Sequence, residues 1–420
     1  MVSAVAAPVV ASGTSVAESY PRETLQPGEG PIHGRHYLTS MPDQVRWGYV
    51  PALDAEPVLR VRSGDTVTVD TVSHEGILED QGRDPVAYFA GHGVPRDQVL
   101  ADAVTIAREY DRTTRNFDVD GPHVVTGPIH VAGAEPGDVL AVETLSALPR
   151  VPYGVVSSRH GKGALARTAD GSPAAGITLD EVMPPVATDG RPTGDPTRYG
   201  NVSVFTKVRR GRTLTGVLPR GTSREVTFPL SPFMGMMGVA FAPGASLTAP
   251  ELNSIPPTLG GGNIDINHLG VGSTFYLPVF TEGALFYTGD PHLAMGGGEV
   301  ALTAVEGSLR TTFRLTVGKP GARGVPSVAF RYPFAETKES WLPIGLSDPD
   351  GSRNGQGTDL NIAMRRAVVN ALDFLEHDLG MDRAVAYAYL SAAANFEVSQ
   401  VVDRTSGVHG VLSKTHFGRG

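Results

Sequence analysis

Residues Gly260–Val300 read GGGNIDINHLGVGSTFYLPVFTEGALFYTGDPHLAMGGGEV, an alternation of glycine-rich turns and apolar runs. Asp265 follows Gly261-Gly262-Asn263, His292 follows Gly289-Asp290-Pro291, and Glu299 follows Gly296-Gly297-Gly298. Between the first two lies Phe275–Phe286, an apolar run with strand chemistry. The stretch predicts strands joined by tight turns, hence a mainly β chain. Glycine permits backbone turns that bring a short acidic side chain close to an ion. Asp, His and Glu together offer mixed oxygen and nitrogen donors, a set suited to zinc or a similar divalent cation. A single loop of this kind is ordinarily a hairpin turn with solvated polar residues. Four such turns within about forty residues point beyond that reading.

The bulk composition narrows the chemistry. The chain has 420 residues, enough for one large domain or two ordinary ones, and its 40% hydrophobic content fits a globular protein. The 51 glycines and 33 prolines favour short strands and turns over long helices. A net charge of −9 without a Lys/Arg-rich run argues against nucleic acid as partner. There is no cysteine, which excludes disulfides, thiolate metal sites and every cysteine-nucleophile mechanism. The Gly/Ser-rich segment of serine–serine–lysine enzymes is not found either. A hydrolase built on this chain therefore needs another source of chemistry, and water activated by a metal is the natural one. No apolar run reaches membrane-spanning length. The small, apolar N-terminus lacks a basic n-region, so residues 1–30 read as a flexible tail and the protein as cytoplasmic.

Outward from the central stretch, Pro57–Val72 (PVLRVRSGDTVTVDTV) places two alternating strands around Ser63-Gly64-Asp65, a hairpin or tight corner. Gly127–Leu145 repeats the idea around Glu135-Pro136-Gly137-Asp138, as expected of a sandwich built from similar units. Gly and Asp are what such turns need, so neither Asp is assigned chemistry. His74 and Glu75 follow directly from a strand end, which makes His74 a candidate further ligand or proton carrier. Asp97–Glu109 has helical spacing. Arg159, His160 and Lys162 stand among glycines, either as a carbonyl clamp or as a surface loop. Residues 166–200, rich in Pro, Gly, Thr and Asp, read as an exposed insertion. Toward the C-terminus the class changes. Asp359–Gly380 sets Leu360, Met364, Ala367, Val368, Ala371, Leu372 and Leu375 on one helical face, and Asp382–Asn395 sets Val385, Ala386, Tyr389, Leu390 and Ala393 on another. Thr358 or Asp359 can cap the first helix and Gly380 can end it, giving a helical pair over 358–396.

The quoted stretch resembles the core signature of the acetamidase/formamidase family, which runs close to GGNMD, PVFVEGAL and GD-x-H-A-x-x-GDGEV. Gly121-Pro122-His123 with Gly127–Asp138, the PFMGMMGVAFAP of Pro232–Pro243, and the SQVVD of Ser399–Asp403 resemble further family segments. The likeness runs from about Pro42 to His416, so residues 31–420 form one domain of that type, with 166–200 its least matched part. Two positions depart from the pattern. Ile264 replaces a Met, which conserves volume, and Gly297 replaces an Asp, which removes a carboxylate beside Glu299.

The resemblance implies a jelly-roll-like β-sandwich with added α/β elements and a homodimer or larger homo-oligomer. Its reaction would be hydrolysis of short-chain carboxamides, acetamide- or formamide-like, releasing ammonia and a carboxylate. In that reading Asp265, His292 and Glu299 hold a divalent ion, zinc first. Glu299 or Glu282 takes the proton from the activated water, and an acid protonates the leaving nitrogen. Whether His123 or His160 joins the site is open. Two alternatives stand beside this one: a non-catalytic cation-binding sandwich, favoured by Gly297, and a hydrolase of a larger or cyclic amide, favoured by the insertion.

Overall fold

The computed structural model of the chain describes residues 24–159, 162–165, 176–178, 201–220, 224–351 and 358–418. Almost all of 166–200, together with His160 and residues 1–23, falls outside the described residues. Two large sheets carry the architecture, as the turn-rich sequence predicts. The nine-stranded sheet runs His36–Leu38, Thr66–Asp70, Leu309–Gly318, Val139–Pro149, Thr274–Pro278, Phe334–Glu336, Ser340–Leu346, Gly407–Ser413, Asn395–Gln400. The eleven-stranded sheet runs Arg224–Pro229, Leu214–Arg220, Asn201–Arg210, Tyr153–Arg159, Val305–Glu306, Phe286–Ala294, Phe233–Gly238, Gly261–Asn263. Val124–Ala132 branches from Phe286–Ala294 and pairs in turn with Val45–Trp47 and Leu59–Arg62. Apolar residues from both sheets fill the space between them; Phe286 meets Phe313 edge-on at 5.5 Å across that core.

The two Gly-Asp turns prove to be corners between sheets. Leu59–Arg62 lies in the eleven-stranded sheet, and after Gly64 (φ +88°) the chain enters the nine-stranded one as Thr66–Asp70. Val124–Ala132 and Val139–Pro149 repeat the crossing around Gly137 (φ +93°). In each corner the Asp carboxylate accepts a backbone N–H three residues back, from Arg62 at 3.0 Å and Glu135 at 2.8 Å. Turn chemistry thus fixes the change of direction, and core packing decides which sheet receives the exit strand.

The run Phe275–Phe286 also divides. Thr274–Pro278 belongs to the nine-stranded sheet and Phe286–Ala294 to the other, with Gly283, Ala284 and Leu285 all at positive φ between them. A continuous apolar run does not record such a switch, because both segments are buried on both faces. Residues 24–30, expected within the flexible tail, are tied to the body. Leu25 is buried and exchanges hydrogen bonds with Arg150 through its N–H (2.8 Å) and its carbonyl (3.0 Å).

The helical pair forms as Leu360–His377 and Arg383–Ala393, capped by Asp359 and Asp382, with Gly380 at φ +67° between them. Of the expected face Ala367, Ala371, Leu372 and Leu375 are buried, but its first turns are rotated: Ala363 is buried, whereas Leu360 and Met364 are each 37% exposed. The reason is Gly345 on the strand beneath: a Cβ there would lie 2.1 Å from the Ala363 carbonyl oxygen and 2.3 Å from the Ala367 nitrogen. Helix backbone rests on sheet backbone, so only small residues fit between. The helix expected over Asp97–Glu109 begins at Ala101, after a separate 3₁₀ turn at Arg96–Gln98.

The contact at Gly345 gives a direct test of the fold. Gly345→Ala must push the helix off the sheet and is expected to destabilise by about 3 kcal/mol, the upper end for overpacking. The urea unfolding midpoint measures it, and a midpoint equal to wild type would contradict this packing.

Candidate active site

The site is built first by the strand Phe286–Ala294. Asp290 and His292 are two residues apart and so share one face of it. The sequence reading put them in a turn after Gly289. In the structure Gly289 is a strand residue packed against Val124, where a Cβ would sit 2.7 Å from the carbonyl oxygen. Glu306 on Val305–Glu306 lies directly across from His292, with its Oε1 3.2 Å from Nε2. Phe233 packs its ring edge-on to His292 at 5.0 Å. Two positions further along, Gly235 supplies the floor. A Cβ there would fall 2.4 Å from Asp265 Oδ1, 2.6 Å from His292 Cε1 and 2.9 Å from Asp290 Oδ2. Gly235 also accepts from the N–H groups of Ile264 and Asp265, which fixes the loop carrying Asp265.

Asp265, His292 and Glu299 are brought together, with donor atoms within 4.8 Å of one another. Asp290, His292 and Glu306 form a second such group, and His74, His123 and Asp290 a third. Asp290 joins the last two: Oδ2 lies 3.0 Å from His292 Nε2, and Oδ1 lies 3.7 Å from His74 Nδ1 and 3.9 Å from His123 Nε2. The Nδ1 of His123 is 2.9 Å from the Ser254 hydroxyl, leaving Nε2 directed at the cluster. Behind His74, Glu75 accepts from Ser157 Oγ at 2.5 Å and from Gln81. Asp265, Asp290 and Glu299 all adopt positive φ, 48°, 51° and 49°. Backbone strain of this kind persists where surrounding structure enforces it, and it concentrates at functional sites.

Other expected residues lie elsewhere. Glu282 is exposed in the turn at 281–285 and stands apart from these groups. Arg159 lines the cavity but is held by Asp80 through two bonds of 2.8 and 3.2 Å, and Lys162 is exposed at the same cavity. Glu299 leaves a turn, as its three preceding glycines predict. Sequence reasoning passed over Asp290, Glu306 and Asp403. Asp290 was hidden by its turn-like neighbours and Glu306 by a strand that looked regular. Asp403 stood in view within the SQVVD segment. Gly297 is exposed, and its nearest neighbour for a Cβ is the Val398 carbonyl, so a carboxylate there would not belong to the buried cluster.

The cluster faces a cavity of about 460 Å³, large enough for a small organic substrate. His74, His123, Asp290, Glu299 and Glu306 line its wall, while Asp265 and His292 lie behind. Charge dominates this wall. Burial, reinforced by neighbouring carboxylates, raises Asp265 and Glu299 well above their ordinary range, raises Glu306, and pushes Asp403 up to about 8. Burial alone would lower His292, yet Glu306 and Asp290 raise it well above normal; the His292 charge in turn holds Asp290 low against the effect of burial. His74 is also raised by Glu75 and Glu306 against burial. His123 is lowered to about 4 by burial, which keeps it a neutral lone-pair donor. The protein alone balances this cluster with protons.

Many of these atoms have no hydrogen-bond partner within the protein. They include both oxygens of Asp265, Oδ1 of Asp290, Oε2 of Glu306, Oδ2 of Asp403 and both ring nitrogens of His74 and His292. Buried polar atoms are rarely left so. Carboxylate and imidazole donors in this number fit a divalent cation of the zinc type.

The chain is similar to known proteins in sequence and in fold. A family model described as "Acetamidase/Formamidase family" matches residues 101–251 and 236–412. The chain is 28% identical over 305 residues to an acetamidase of Mycolicibacterium smegmatis, covering 62% of this chain and 71% of that protein. It is 26% identical over 313 residues to a formamidase of Methylophilus methylotrophus, covering 69% and 75%. Among solved structures, an acetamidase from Yersinia enterocolitica superposes with a TM-score of 0.64 at 25% identity, covering 95% of this chain and 97% of that one. An acetamidase from Bacillus halodurans shares the fold at a TM-score of 0.61 and 23% identity, covering 91% and 98%.

The raised carboxyls set a pH dependence for the metal-stripped protein. Asp265, Glu299 and Asp403 bind protons more tightly folded than unfolded. Their stabilising contribution is therefore full below about pH 4, their ordinary range, and is lost as pH rises through the folded value, about 8 for Asp403. Thermal unfolding of stripped protein should show a midpoint that falls between about pH 5 and 8.5, flattened in Asp403→Asn and by added Zn²⁺. A midpoint that rises over that window would contradict the assignment.

Proposed function

The chain belongs to the acetamidase/formamidase family, and from that premise we propose that it is a metal-dependent hydrolase of short linear carboxamides, releasing ammonia and a carboxylate. The observation that carries the metal dependence is the set of unpartnered carboxylate and imidazole atoms behind and along the cavity wall. His74, His123 and Asp290 are the three that face the cavity together, and they would hold the ion, zinc first. Two imidazoles and one carboxylate are a donor set that leaves a position open for substrate or water. The expected set of Asp265, His292 and Glu299 is assembled around them, but two of its members sit back from the cavity. When bound, such an ion lowers the pKa of water and polarises a carbonyl.

The chain's own groups supply the proton traffic. Glu306 Oε1 accepts from the Ala304 N–H at 3.1 Å and lies 3.2 Å from His292 Nε2 as its charge partner, so Glu306 serves mainly to hold that imidazole electrostatically. Glu299 lines the cavity, and burial beside other carboxylates raises its pKa, which suits a group that must both take up and give back a proton. It would take the proton of the attacking water and return it to the leaving nitrogen, which departs poorly as an anion. Asn263 lines the same wall with its side-chain oxygen buried and unpartnered, placed to accept from the substrate's NH₂ group. Asp265, held by the Gly235 carbonyl, and His292 behind Asp290 keep the donors in place.

Ammonia release from formamide, acetamide, propionamide and benzamide tests the reading, with protein as purified, after chelation and after Zn²⁺ is restored. Release is expected from the smaller amides, lost on chelation and regained with zinc. Asp290→Asn should lose the metal and the activity. Glu299→Gln should keep the metal but lower kcat by roughly 10²–10⁴-fold. Release unaffected by full metal removal would sink the metal dependence, and tightly held metal with no release from any amide would favour a non-catalytic cation-binding sandwich.

A further inference from the structure

On the outer strands of the nine-stranded sheet stands a second group of donors that the reaction does not use. Glu397 on Asn395–Gln400 and His409 on Gly407–Ser413 are direct cross-strand partners. His268 reaches them from the loop that follows Asp265. His268 Nε2 lies 3.0 Å and His409 Nε2 3.7 Å from the same Glu397 oxygen, Oε2, and the two rings meet edge-on at 5.4 Å. The three donor atoms fall within 4.8 Å of one another.

His409 decides what this group is. It is 1% exposed, and its Nδ1 is 2.8 Å from the hydroxyl of Ser399, itself 1% exposed. With Nδ1 taken up by that hydroxyl, Nε2 is the ring nitrogen left facing Glu397, the arrangement typical of a metal-ligating histidine and its outer-shell partner. That Nε2 is buried and has no hydrogen-bond partner in the protein. A plain His–Glu–His hydrogen-bond network would leave it so, since 3.7 Å is beyond bonding range. A cation among the three atoms satisfies it.

We propose that His268, Glu397 and His409 form a second divalent-cation site, zinc-type by its two imidazoles and one carboxylate, structural in role and separate from the catalytic cluster. The partly exposed His268 and Glu397 leave its outer side to solvent. Its place explains what it would do. His268 is three residues from Asp265, and the strand of Glu397 runs on through Ser399, whose carbonyl accepts from the Gly298 N–H at 3.0 Å, beside Glu299. The ion would pin together the two loops that present Asp265 and Glu299.

The test is a zinc count by mass spectrometry on the full chain, stripped with chelator and dialysed against Zn²⁺. His268→Ala and Glu397→Gln, both at partly exposed positions, should each hold one equivalent less than wild type while keeping their circular dichroism. Asp290→Asn should keep this equivalent, and Asp290→Asn combined with Glu397→Gln should lose it. Cobalt(II) added to Asp290→Asn should give visible ligand-field bands that the double variant lacks. Wild-type zinc content in folded His268→Ala and Glu397→Gln would overturn the second site and leave the catalytic reading intact. Zinc lost with Glu397→Gln but unaffected by Asp290→Asn would do the reverse.

Discussion

Five carboxyl groups, those of Asp265, Asp290, Glu299, Glu306 and Asp403, are buried beside three imidazoles at one cavity. Gathering them out of water is costly unless positive charge gathers with them. The molecule meets a similar demand elsewhere with its own cations. Asp70 and Asp102, both fully buried, are paired with Arg150 and Arg310 at 2.6–3.4 Å. In the cavity cluster none of the five carboxyls forms an ion pair with Arg or Lys among the described residues, and raised carboxyl and imidazole pKa values offset much of the charge. One cluster is closed by the protein's own cations; the other has the donor set that the proposed divalent ion would need.

The rest of the architecture follows from holding those groups close. Side chains must converge from the strand of Asp290 and His292, from the short strand of Glu306, and from loops before and after. Such convergence requires bare backbone at the centre, which Gly235 provides. It also bends the chain at Asp265, Asp290 and Glu299 into a conformation that non-glycine residues avoid. Strain of this order is sustained by the double-sheet core, where buried apolar residues of both sheets interlock. Strands give the rigidity, and the loops that leave them give the reach.

How far the sequence reveals this depends on the kind of signal. Strand content, the helical pair and the Gly-Asp corners are local, written in periodicity and turn chemistry, and all are legible. Which sheet a strand joins is not local. Thr274–Pro278 and Phe286–Ala294 read as one run because a residue buried on either face looks the same in sequence. Asp265, His292 and Glu299 are visible because each stands within three residues of a glycine. The glycine before His292, Gly289, however, serves a close strand contact at Val124 and not a turn. Glu306 carries no mark at all: only its cross-strand pairing with His292 reveals it. Glu282 misleads for the opposite reason, since it shares the motif but points to solvent. The rotation at the start of Leu360–His377, where Ala363 is buried and Leu360 and Met364 are not, was equally hidden, for it is set by Gly345 on another element.

Gly297 shows why residue type at a single motif position is a weak guide to a site's charge. Its loop turns outward at 296–297 and inward again at Gly298, where the Ser399 carbonyl receives the N–H. A side chain at 297 therefore meets the backbone of Val398, whereas the next two residues return the chain to the buried cluster and deliver Glu299. What holds Glu299 at the cavity is that backbone pairing, reinforced by the Val401 N–H to the Gly298 carbonyl at 3.2 Å. Loss of a carboxylate at 297 leaves both the pairing and the buried donors untouched. The chemistry of the cavity is governed by where the backbone re-enters, and in this chain it re-enters at Gly298.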